Sequence, residues 1–323
     1  MICAAQNGGK DDLVKELIIC DTHCDTISIA YDKQASLYSN NFDVNIKRMK
    51  EYKNYMQFFA AFIASEYYKN PMQRCLDLLN FANSQIQKYS TAIELCKNSD
   101  GVLSAWDKGK AAAVLSVEGG ECIQSENDLN ILYDMGVRMV APAWNNDNML
   151  AGGALGSGKG LSEFGKRIVS EMNKKGIICD VSHLCERSFY DVCSISDKPI
   201  VASHSNSYEI CTHRRNLKKE QFKEVMNLNG VVGINMYCEF LTGKRTAEIN
   251  DILRHIEYFL ELGGEDNICM GSDFDGIDAK PGGIESCSDI YKIFDALEKK
   301  GIPARITEKI AYKNILRVMG ICL

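Results

Sequence analysis

The chain is sparing with proline (5 of 323 residues), histidine (5) and tryptophan (2), and it carries no excess of basic side chains. So few prolines leave long stretches in which helices and strands run uninterrupted. With 37 Lys and Arg against 43 Asp and Glu, the net charge is −6 and the pI near 5.5. That balance excludes the basic footprint needed by a nucleic-acid surface or an anionic membrane surface. No stretch reaches the roughly 18 consecutive apolar residues of a membrane span. The longest strongly apolar run, residues 58–64, has the size of a strand. The N-terminal MICAAQNGGKDD lacks the basic-then-apolar plan of a secretory leader. The fourteen cysteines are scattered from Cys3 to Cys322 without a C-x-x-C, many of them inside apolar runs. They read as reduced thiols of a cytoplasmic protein, acting as small hydrophobes. The glycine-rich AGGALGSGKG (151–160) lacks phosphate-loop order because Lys159 is followed by Gly160; it reads as a flexible loop over a site.

What is present is alternation. Eight short apolar runs, at about 17–24, 58–65, 112–118, 137–143, 177–182, 199–204, 230–237 and 267–273, read as strands. Amphipathic stretches lie between them: Pro71 to Cys96, Ser162 to Lys174, Leu184 to Ser194, Leu217 to Leu228 and Ala247 to Leu262. Gly136, Gly176, Gly230 and Gly263-Gly264 stand where helices end ahead of strands. The runs are continuously apolar, as in a parallel sheet buried on both faces, and eight of them imply an α/β fold closed into a (β/α)8 TIM-type barrel. No linker divides the chain, so residues 1–323 read as one catalytic domain.

In such a barrel the loops after the strands gather at one face, and the chemistry belongs there. His23 and Asp25 follow the first run, Glu118 ends the third, His183 the fifth, His204 the sixth and Asp273 the eighth. Imidazoles and carboxylates are the ligand types of zinc and similar divalent ions, and a central carboxylate can bridge two of them. Taken singly, each has a plainer reading: a hydrogen-bonded structural histidine, a glycine turn with a solvated acid, an Asx turn. Three of five histidines and three acids on one expected face outweigh those readings. Cys24, between His23 and Asp25, points to the opposite side of an extended chain. His213 and His255 end no strand and are left out.

At these positions the chain resembles the membrane dipeptidase (renal dipeptidase) family of the amidohydrolase superfamily. The likeness runs through DTHCDT, SVEGGE, DVSH, SHSNSYEICTHRRN and GSDFDG, over nearly the whole chain. It implies a metallo-dependent hydrolase barrel with two Zn²⁺ ions that hydrolyses dipeptides, L-L and L-D, by way of a hydroxide between the ions. By that likeness His23 and Asp25 hold one ion, His183 and His204 the other, and Glu118 bridges them. Asp273 is then the acid/base and Arg215, in THRRN, binds the substrate carboxylate. One departure concerns a family histidine after the fourth strand. Here PAWNN places Trp144 in its stead, which reads as a pocket wall; Trp144 Nε1 or Asn145 then meets the substrate carbonyl, or the zinc ions carry the oxyanion alone. The resemblance allows a homodimer. Two alternatives remain: another amidohydrolase-type reaction on the same metals (N-acyl amino acid deacylation, lactone or β-lactam hydrolysis), and a non-catalytic barrel that only binds.

Overall fold

The apolar runs pair side by side, all in parallel, in a computed structural model that describes residues 14–323. Cys3 and the N-terminal stretch read for a leader lie outside the described residues. Among the described residues nine strands form: β1 (Ile18–Asp21), β2 (Asn54–Phe62), β3 (Ile93–Leu95), β4 (Ala111–Glu118), β5 (Val137–Ala141), β6 (Ile178–Cys179), β7 (Val201–Ala202), β8 (Val231–Ile234) and β9 (Ile268–Met270). Eight follow one another around the sheet as β6-β5-β4-β2-β1-β9-β8-β7. The ring closes between β6 and β7 through a bridge of Asp180 to Val201, where Val181 N donates to Val201 O at 2.8 Å. The expected eight-stranded barrel is therefore present.

The departures from the sequence reading have local causes. The Pro71 to Cys96 stretch is not one helix. The helix ends at Lys88, and β3 then pairs with the outer start of β4, Ile93 opposite Ala111. The runs at 177–182 and 199–204 contribute only two strand residues each. Their further amides, Ser182 N and Ser203 N, turn instead to Asp180 Oδ1 at 3.0 Å. The run at 58–65 begins earlier, at Asn54, because the buried Gln57 satisfies its amide on Asp21 O and Phe58 O and so does not interrupt the strand. Gly136, Gly176 and Gly263 take the left-handed conformation after their helices, but at the fourth such junction Asn229 (φ 54°) does so. Gly230 is needed for room, since a Cβ there would sit 2.2 Å from Ile200 O.

Every barrel strand sends a side chain inward. Cys20, Phe58, Val114, Met139, Ile178 and Val231, with Met56, Ala112, Val201 and Cys269, form one buried cluster, and the C-terminal helix Asn314–Cys322 packs Ile315, Val318 and Met319 against its lower end. The outward strand faces join the surrounding helices in a second, larger cluster. Among the described residues no helix is long and apolar enough to cross a membrane, and every cysteine is free.

Candidate metal centre

Glu118 tops an inward column on β4, above Ala112, Val114 and Ser116, because residues two apart on a strand face the same way. That carries its carboxylate to the upper mouth of the barrel, where the ends of β1, β6, β7 and β9 deliver the remaining candidates. His23 Nε2 lies 3.4 Å from Glu118 Oε2, 3.5 Å from Asp25 Oδ2 and 3.8 Å from Asp273 Oδ1. His183 Nε2 lies 2.7 Å from Glu118 Oε1 and 2.7 Å from His204 Nε2. Three overlapping groups have donor atoms within 4.8 Å of one another: His23, Asp25 and Glu118; Glu118, His183 and His204; His23, His204 and Asp273. All six residues are buried. Cys24 is not among them: a bridge to Phe274 places it in the outer apolar cluster.

The hydrogen bonds behind the rings decide which atoms face inward with lone pairs. Ser203 Oγ donates to Asp180 Oδ2 at 2.5 Å, so toward His204 Nδ1, 2.7 Å away, it acts as acceptor and the ring proton sits on Nδ1. Asn145 Oδ1, 2.9 Å from His183 Nδ1, fixes the same tautomer there. The two Nε2 atoms therefore present lone pairs to each other across 2.7 Å, and lie 2.7 Å (His183) and 3.7 Å (His204) from Glu118 Oε1. A cation shared by these donors removes that repulsion, and the donor set suits zinc-like ions. His23 Nε2 and Asp25 Oδ1 are buried and have no hydrogen-bond partner. Gly276 leaves space at the same spot: a Cβ there would come within 2.1 Å of Asp25 Oδ2 and 2.6 Å of Asp273 Oδ1.

Protonation follows burial and charge. Burial, helped by Arg215, pushes His183 down to about 4, and burial holds His204 well below the usual imidazole range; both rings are neutral. Burial raises Asp25 to about 7, with the neighbouring Glu118 adding to it, and raises Asp273 to about 6. Glu118 stays below the usual carboxylate range, because His23 and His183 outweigh the opposing effect of burial. Asp273 is held by Asn235 Nδ2 at 2.8 Å and sits at φ 62°, a left-handed conformation that turns its carboxyl toward His23.

A cavity of about 720 Å³ opens above these groups. Arg215 lines it, buried, donating to Ser182 O and, at 3.0 Å, to His183 Nε2, while its Nε has no partner. Trp144 forms a wall, its ring centroid 5.1 Å from Phe62 and 6.0 Å from His183. The loop at 151–160 is absent from the cavity lining. It is stitched down instead: Ala154 N donates to His183 O, Leu155 N to Asn145 O, and Ser157 to Asp147. It braces the site from behind and is no lid. His255 and His213 are structural: His255 bonds Ser207 N and Leu241 O, and His213 accepts from Arg215 N.

The sequence reading passed over Asp180, Ser203 and Asn235. The D-x-x-H spacing of Asp180 to His183 was a visible signal, but the lateral partners of Ser203 and Asn235 are set by neighbouring strands.

Comparison with known proteins agrees with this geometry. The metallopeptidase of Rhodobacter sphaeroides, solved with a phosphinate mimic of the dipeptide L-Ala-D-Ala, has a TM-score of 0.89 at 22% identity, covering 95% of this chain and 100% of that one. The dipeptidase AC, a metallopeptidase of family M19, has a TM-score of 0.88 at 25% identity over 96% of this chain and 99% of its own. A Klebsiella pneumoniae protein described as uncharacterized, in the pqqA 5' region, is 31% identical over 239 residues, 70% of this chain and 88% of that protein. The family model of membrane dipeptidases, peptidase family M19, matches residues 9–322. The chain belongs to the membrane dipeptidase family, peptidase family M19, and is a hydrolase of the metallo-dipeptidase kind.

Proposed function

We propose that this protein is a zinc dipeptidase with two ions at the barrel mouth, acting on L-L and L-D dipeptides as one catalytic domain. The observation that carries the reading is the convergence of inward lone pairs on Glu118, His183 and His204, next to the unpartnered His23 Nε2 and Asp25 Oδ1. His23 and Asp25 would hold one ion, His183 and His204 the other, and Glu118 both. When bound, the ions supply Lewis acidity, lowering the pKa of water toward about 7 and polarising a carbonyl.

The chain's own residues do the rest. Asp273, poised by burial at about 6 and anchored by Asn235, accepts a proton near neutral pH and returns it to the leaving amine. Arg215 offers a planar fork for the C-terminal carboxylate. Its Nη2 contacts His183 Nε2, an atom that would hold an ion, and with an ion held there Nη2 would be free for the substrate. Trp144 and Phe62 wall the cavity and keep water off one side of it, and Asn145 is taken up in aligning His183. The dipeptide mimic in the Rhodobacter protein supports the substrate class. Free thiols throughout the described residues suit a reducing cytoplasm, where we place the enzyme.

The test is metal analysis together with a panel of L-L and L-D dipeptides after chelation and zinc restoration. About two zinc per chain and release of free amino acids are expected; no hydrolysis of any member overturns the reading. Arg215→Ala separates the alternative amidohydrolase reactions. A dipeptidase loses about 10²-fold or more in kcat/KM through lost carboxylate binding, and unchanged turnover favours deacylation or lactone hydrolysis.

A further inference from the structure

Two buried acids occupy equivalent places on opposite sides of the barrel. Asp21 ends β1 and Asp180 follows β6, and β1 and β6 lie four strands apart around the eight-membered ring. Each acid uses one oxygen to clip its own strand end to a neighbour. Asp21 Oδ1 takes His23 N at 3.2 Å and Ser272 N at 3.0 Å; Asp180 Oδ1 takes Ser182 N and Ser203 N, both at 3.0 Å. The second oxygens differ. Asp21 Oδ2 has no partner, whereas Asp180 Oδ2 receives the Ser203 hydroxyl, which in turn accepts from His204 Nδ1. Asp180, Ser203 and His204 are all buried, so water does not interrupt this line.

We propose that Asp180 and Ser203 form a carboxylate–hydroxyl relay that dictates the tautomer of His204 and thereby its capacity to ligate a metal. The inference rests on the metal-centre reading above and adds two positioning residues to it. The polarity runs one way: an ionised carboxylate only accepts, so the serine proton points at Asp180 and the imidazole proton must sit on Nδ1. That leaves Nε2 as a lone pair facing Glu118 and His183. In many metal sites a carboxylate contacts the ligating histidine directly; here a hydroxyl stands between them, and Asp180 keeps its other oxygen for the β6–β7 closure.

This arrangement makes a prediction that a purely structural role does not. In Asp180→Asn, the amide oxygen can retain the two backbone contacts, but the amide NH₂ donates to Ser203. The Ser203 hydroxyl then turns toward His204 Nδ1, the nearer of its remaining acceptors at 2.7 Å against 3.3 Å to Ser182 Oγ, and the ring accepts. The ring proton moves to Nε2 and blocks the ligand position. Ser203→Ala merely removes the relay and leaves His204 free to adopt either tautomer. Asp180→Asn should therefore be the more damaging change, and Ser203→Ala added to it should restore metal binding rather than worsen it.

The experiment titrates zinc into the apo forms of wild type, Ser203→Ala, Asp180→Asn and the double variant, in competition with a chromophoric chelator. Histidine ¹⁵N shifts of each apo protein report the tautomer. The expected result is two ions in wild type, with one of them weakened about 10- to 100-fold in Ser203→Ala. That ion should be lost further in Asp180→Asn, together with an Nε2–H signature for one histidine. It should return to the Ser203→Ala level in the double variant. If wild type binds two ions but the double variant is additive or worse than Asp180→Asn, the relay is wrong while the metal centre stands. If Asp180→Asn does not fold, Ser203→Ala decides alone: wild-type affinity for both ions, or an unchanged His204 tautomer population, overturns the relay. A wild type that binds no zinc overturns the metal-centre reading itself.

Discussion

The two ends of one barrel are built from the same strands and obey opposite rules. At the lower end the inward positions carry Cys20, Met56, Phe58, Val201, Val231 and Cys269, sealed by the helix Asn314–Cys322. Nothing there is charged, and each side chain is satisfied by its neighbours. A few residues further along the same strands, His23, Glu118, His183, His204 and Asp273 crowd ligand atoms within a few ångströms. There, buried atoms go without partners, Asp273 and Asp275 adopt left-handed backbone conformations, and carboxyls are driven far from their ordinary range. The lower end stores the stability that the upper end consumes.

Substitutions at the two ends should therefore fail differently. The largest effect is expected at the mouth: Glu118→Gln removes the carboxylate shared by two of the candidate ligand groups. It should lower kcat/KM on a dipeptide at least about 10³-fold, roughly 4 kcal/mol in the barrier. Zinc content should fall with it, and the metal-free fold should melt no earlier than wild type. An enzyme with normal zinc and normal turnover would show that Glu118 is not part of the centre.

Phe58→Ala makes the converse change. It empties space in the fully buried interior and should cost about 3–5 kcal/mol in chemical denaturation. Zinc stoichiometry in the folded protein should be retained. Loss of zinc without loss of stability would erase the contrast between the ends.

The smallest effect concerns pH. Burial raises Asp273 to about 6, so the native protein retains a proton that the unfolded chain has released by then. This contribution to stability is complete below the unfolded pKa, near 3.8, and is lost as pH rises through 6. His183 and His204, held neutral, give metal-free wild type the opposite trend over the same range, so the Asp273 contribution is read as a difference: from pH 4 to pH 7 wild type should lose on the order of 3 kcal/mol relative to Asp273→Asn. Urea unfolding of the chelated proteins across this range is the measurement. Phe58→Ala should shift the whole curve without changing its slope, and parallel curves for wild type and Asp273→Asn would refute the assignment.

Much of this was legible in the sequence because periodicity and position carry it. Continuous apolar runs gave the eight barrel strands, and the polar residues that end the first, third, fifth, sixth and eighth runs gave the groups gathered at the mouth. Glu118 is the clearest instance: a lone carboxylate closing Ala-Val-Leu-Ser-Val has nowhere to go but the rim. What stayed hidden depends on neighbours in space. β3 is too short to announce itself and exists through its pairing with β4. The loop at 151–160 looked free because glycine is compatible with mobility, yet glycine equally permits close approach. A Cβ at Gly153 would lie 2.2 Å from Trp144 O, so these glycines let the loop press against the backbone they brace. The partner of Ser203 is Asp180 on the adjoining strand end, a contact fixed by barrel closure and by no spacing within SHSNS.

The plugged lower end sets the traffic of the reaction. With the interior filled from Cys20 to Met319, the approach to Glu118 among the described residues is from the cavity side. A dipeptide and the two amino acids made from it then share that doorway in succession. If Arg215 holds the substrate carboxylate as proposed, the amino acid that carries it departs past the position the next dipeptide needs, so its accumulation should slow turnover by competing for entry.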